Sequence, residues 1–134
     1  MLNLILASFA TGVLFGAMDA AINANPYARG LNAVYAPVAR TEINVVAGSL
    51  IDLAYGVVIV LVFVQLAPAL PGATGLAKGL TLGVGMWFFR VVMSAATTWM
   101  THRVPPALLA YQIVTGLFEM LVLGAVVGLL VRLD

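Results

Sequence analysis

The stretch INVVAGSLIDLAYGVVIVLVFVQL, residues 43–66, decides the fold class, because its only charged residue is Asp52. As an α-helix rising ~1.5 Å per residue it is about 36 Å long, enough to cross a hydrocarbon core of ~30 Å. Three more stretches, residues 2–23, 78–100 and 105–131, are of similar length and nearly free of charge. The sequence therefore predicts an all-α integral membrane protein, a single four-transmembrane-helix bundle that absorbs residues 1–134. The first stretch lacks a basic leader and ends at Asp19 and Asn23, so it is expected to be a retained helix and not a cleaved signal.

Composition agrees with this reading. Of 134 residues, 63% are hydrophobic and 8% charged, against roughly 25% charged in soluble domains. A formal net charge of +1 leaves no basic surface for nucleic acid, and without cysteine there is no disulfide or thiolate chemistry. The richness in Ala, Val, Leu and Gly with a single Lys fits a bacterial plasma membrane.

The links differ in character. Residues 67–75 carry the Pro and Gly punctuation of a turn, and Pro105-Pro106 suits the first turn of a helix. In the first link Asn25-Pro26 reads as a helix cap followed by proline at the first helical position. Tyr27, Leu31, Val34, Tyr35 and Val38 then recur at helical spacing, predicting a short interfacial helix over residues 26–38 that Pro37 interrupts or ends. Arg29, Arg40 and Arg103 fall on one side of the bundle, and Lys78 and Arg132 on the other, a charge bias of one that orients the chain only weakly.

Small and polar residues share helix faces. Asn44, Gly48, Asp52 and Gly56 follow at four-residue intervals, as do Ser8, Gly12, Gly16 and Ala20, with Asp19 and Asn23 beside the latter. Gly79, Gly83, Arg90, Ser94 and Thr97 share a face in the third span, and Gln112, Gly116, Glu119 and Gly128 approximately do in the fourth. Lipid-facing sectors are expected within residues 57–64, 91–93 and 121–127. The paired glycines around Asp52 and Glu119, preceded by GxxxG in spans one and three, also hint at two similar helical hairpins in parallel orientation.

Arg90 lies near mid-bilayer, where a lone charge is expensive, so it requires a carboxylate. By depth Asp52 is the first-choice partner and Glu119 the second. Arg90, Asp52, Glu119, Asn44 and Gln112 thus form the expected buried polar network or ion site. A second grouping, nearer the surface, comprises Asp19, Asn23, His102, Arg103 and Arg40. Three acids against one deep base leave an excess of negative charge, so at least one acid is expected to be protonated, hydrated or paired with a bound cation. The alternative is a purely structural network that fixes helix register.

Other chemistries lack residues. A single histidine gives no spacing for zinc or haem, there is no HExxH pattern beside Glu42, and Ser49 has no histidine at its depth. No metal site and no cofactor is assigned, although a pigment or quinone between helices would suit the Met86, Trp87, Phe88, Phe89 region.

In length and span count the chain resembles the small multidrug resistance transporters and the small fluoride channels, both dimeric. The resemblance is architectural only. The key glutamate of the former belongs to the first span, where this chain has Asp19, and the early glycine-arginine motif of the latter is missing. No family follows from it. The function expected first is therefore an accessory, assembly or regulatory membrane subunit, as a homo-oligomer or in a larger complex. The alternative is an oligomeric proton- or cation-coupled transporter or channel using the buried acids, and the third option an intramembrane enzyme acting on a lipid or cofactor.

Overall fold

The computed structural model describes residues 1–132. They form an all-helical bundle: α1 (Leu2–Ala24), α2 (Pro26–Asn32), α3 (Val45–Leu66), α4 (Gly75–Met86), α5 (Met93–Thr101) and α6 (Pro106–Leu130). α4 and α5 are one span, Gly75–Thr101, joined by a π-helical turn at Trp87–Val92. Four helices are thus long and apolar enough to cross a membrane.

Caps set the helix boundaries. Thr74 accepts from the Ala77 amide at 3.2 Å, which starts the third span at Gly75 and not at Lys78. Asn44 accepts from the Ala47 amide at 3.0 Å and begins α3. Asn25 serves two helices, because its Oδ1 accepts from the Ala28 amide of α2 at 2.9 Å while its Nδ2 donates to Ile22 O of α1 at 2.7 Å. The helix expected over residues 26–38 is shorter, ending at Asn32 and passing through one 3₁₀ turn at Ala33–Tyr35 before Pro37. Ala36 still has helical backbone (φ −50°, ψ −38°), but Pro37 has no N–H to donate, so only turns closed on Tyr35 O follow.

α1 pairs with α3 and α4 pairs with α6, and the two hairpins meet chiefly along α1 and α6. Glycine permits both pairings. A Cβ at Gly12 would fall 2.8 Å from Leu53 Cα, and one at Gly83 would fall 2.5 Å from Met120 O. Gly79 and Gly124 likewise present bare backbone to each other. Between the hairpins lies an apolar core that includes Ala7, Val60, Phe63, Met120, Leu123 and Val127. This corrects the expected lipid-facing sectors: Ile59, Val60, Phe63, Leu123 and Val127 are buried. At 3.6 residues per turn a continuous run cannot face one way, and within these sectors the exposed side chains are Val57, Val58, Leu61, Val62 and Met93.

Two tethers fix the ends of the bundle. The Tyr111 hydroxyl donates to Ile22 O at 2.7 Å and accepts from Asn25 Nδ2 at 2.9 Å, joining α6 to the end carrying α2. At the opposite end, where Lys78 sits, Asn3 Nδ2 donates to Leu130 O at 3.0 Å.

Candidate functional site

Glu119 and Thr11 are the buried polar side chains among the described residues, at 3% and 0% exposure. Glu119 projects from the middle of α6 into a cavity of about 330 Å³ whose other polar lining comes from Asp19, Asn23, Arg90, Ser94, Gln112 and Thr115. Its Oε2 accepts from Arg90 Nη1 at 3.3 Å, whereas its Oε1 is buried without a partner. The Arg90 side chain is 36% exposed, so the pair sits at the inner end of a partly open space.

This pairing corrects the ranking by depth, which placed Asp52 first. Asp52 lies on α3, which packs chiefly on α1, and the α3 side chain set against the Arg90 guanidinium is Tyr55, not Asp52. Its carboxylate instead rests over Gly16, where a Cβ would fall 2.5 Å from Oδ2. Depth gave a level in the bundle but not a neighbour. The π-helical turn adds to this, since Arg90 lies within Trp87–Val92 and the wider turn re-aims its side chain relative to a plain α-helix.

Two aromatic rings hold the guanidinium. Arg90 Cζ lies 4.9 Å from the Phe15 ring centroid and 5.3 Å from that of Tyr55, a cation–π arrangement that stiffens a long side chain. Sequence reasoning passed over both rings. Thr11, Phe15, Asp19 and Asn23 recur at four-residue intervals parallel to the glycine ridge of α1, and that periodicity was the available signal.

The remaining residues divide. Gln112 lines the Glu119 cavity, whereas Asn44 is an exposed helix cap outside it. Asp19 was expected to meet Arg40, Arg103, His102 or water; its Oδ1 accepts from Asn23 Nδ2 at 3.1 Å, one helical turn away. Arg40 and Arg103 are exposed, and His102 Nδ1 lies 2.6 Å from Thr101 Oγ1. Asp19 and Asn23 also line a second, larger cavity of about 800 Å³ between α1 and α3, together with Asp52, Ser49 and Arg29. That cavity opens because α1 and α3, in contact at Gly12 and Gly56, part toward Gly48, which meets nothing within 4 Å.

Among the described residues no three His, Cys, Asp or Glu side chains gather to hold a metal ion. No family model, curated protein or solved structure matches the chain.

Proposed function

We propose that this chain is an integral membrane protein that takes a small monovalent cation, or a proton in its place, at Glu119 from the side carrying α2, and works as a coupled transporter. The observation that carries the reading is Glu119 Oε1, buried beside a polar cavity with no hydrogen-bond partner. An unpaired buried acceptor costs free energy unless something neutralises or hydrogen-bonds it. Asp19 and Glu119 bring two negative charges to the cavity and Arg90 one positive charge, so one further positive charge completes the balance.

Access is one-sided. Exposed Asn23 and Ser94 line the cavity mouth, while toward the Lys78 end the path closes on backbone contacts among Gly79, Gly83, Gly124 and Gly128 and on fully buried Phe63, Leu123 and Val127. Passage through such a dry half requires helix movement, which favours a carrier over an open channel.

The second reading is the accessory or assembly subunit. Gly48 and Gly85 support it, because each meets nothing within 4 Å and so leaves a notch in which a helix of another chain could seat. Reconstituted liposomes separate the two. A transporter gives pH-dependent flux of protons or a monovalent cation, and Glu119→Gln abolishes it while the variant keeps its helical content. Absence of flux across a panel of such cations, with co-purification of a larger complex, overturns transport and leaves the assembly role.

A further inference from the structure

The end of the bundle opposite the acids carries a cavity of about 820 Å³ that the proposed transport does not use. Its walls are Leu2 and Leu6 of α1, Val64 near the end of α3, and the link at Ala67 and Pro68; its charged residues are Lys78 and Arg132. Among the described residues no carboxylate lines it. The pattern is an apolar groove closed at one end by two cations.

Lys78 is placed by the fold. Its Nζ donates to Ala67 O at 2.7 Å, at the C-terminal turn of α3, which pins the ammonium at the rim of the groove. An ammonium has three donors, so two remain for another acceptor. Arg132, just past the end of α6, is exposed and offers a planar fork that suits phosphate oxygens. Exposed Leu2 and Leu6 continue the groove along the outside of α1.

We infer that this cavity is a binding site for an anionic phospholipid, with its phosphate held between Lys78 and Arg132 and one acyl chain lying along Leu2, Leu6 and Val64. The charge at the rim selects the headgroup and the apolar wall selects the chain; a soluble phosphate would use only the first. The inference rests on the membrane reading above but not on Glu119, and a protein without transport activity would still carry the site.

The test uses the purified full-length chain, delipidated in neutral detergent, with native mass spectrometry and thermal unfolding as readouts. Phosphatidylglycerol should bind in preference to phosphatidylcholine and raise the melting temperature, each cation contributing about a fivefold preference for the anionic lipid. Arg132→Gln, at an exposed position, should lose about fivefold of that preference with the fold intact. Lys78→Gln should lose a similar factor, and Lys78→Arg should retain it even if the cap on Ala67 weakens. Equal binding of the two lipids by the wild-type chain overturns the inference. So does an equal preference in Arg132→Gln, or a stabilisation that inorganic phosphate reproduces without acyl chains.

Discussion

Glu119 is divided between two situations: one carboxylate oxygen pairs with Arg90 and the other is buried without a hydrogen-bond partner. Removing the base exposes that division. Arg90→Leu should destabilise the protein in detergent, because it strands a buried carboxylate. Breaking a fully buried pair costs ~3–5 kcal/mol, and partial exposure of Arg90 together with a membrane host places the loss below that range. Glu119→Gln added to Arg90→Leu should recover part of the loss, whereas Asp52→Asn should not. A double-mutant cycle in unfolding free energy measures both couplings, and a coupling confined to Asp52 would reject the pairing. The need of Arg90 for an acid was legible in the sequence, because a charge at that depth cannot stand alone. Which acid was not, since the choice depends on helix adjacency and on a π-helical turn that no residue pattern in Trp87–Val92 announced.

At the scale of the helices, the glycines separate into those that are contacts and those that are surface. Gly83→Ala places a Cβ 2.5 Å from Met120 O, so α4 and α6 must part. Gly85, two residues on in the same helix, meets nothing within 4 Å. Gly83→Ala should therefore lower the melting temperature markedly, while Gly85→Ala should leave it unchanged or raise it slightly through helix propensity; thermal unfolding of the purified variants checks both. Gly16→Ala tests the site more directly, since its Cβ would displace the Asp52 carboxylate from the wall of the larger cavity. The same contacts bear on the two-hairpin pattern. Gly12 meets Gly56 and Gly79 meets Gly124; Gly16 meets Asp52, one turn before Gly56, and Gly83 meets Met120, one turn before Gly124. The sequence displayed these spacings as GxxxG pairs without showing which partner each ridge meets, and the structure supplies matching crossings in the two halves.

For the molecule as a whole, the four spans were legible because length and lack of charge are properties of a segment alone. Their neighbours were not, because an apolar helix in an apolar solvent carries little asymmetry to show which side is buried. Four crossings would put the link at residues 67–74 and the α2 segment on opposite faces of a membrane. Cysteines introduced at Ala73 and Gly30, both exposed, should accordingly be labelled by an impermeant reagent from opposite sides. Labelling of both from one side alone would reject four crossings, and labelling of each from both sides would mean that the chain inserts in either orientation. Ala73 is preferred to Gly72, whose φ of +127° a cysteine would not readily adopt.

The hairpin α1–α3 and the hairpin α4–α6 each carry their own glycine crossing, and between them runs only the link at 67–74. Apart from the cap that Thr74 forms on the start of α4, that link is joined to the second hairpin by a bond from Lys78 Nζ to Ala67 O and one from Thr81 Oγ1 to Pro71 O at 3.3 Å. The covalent connection is thus nearly dispensable to the architecture. A gene severed between Gly72 and Ala73, with its halves expressed together, should yield two polypeptides that find each other in the membrane and co-purify through the seam of α1 and α6. By the same token, exchange of halves between two copies would set the Arg90 and Glu119 pair of one molecule against Asp19 of the other.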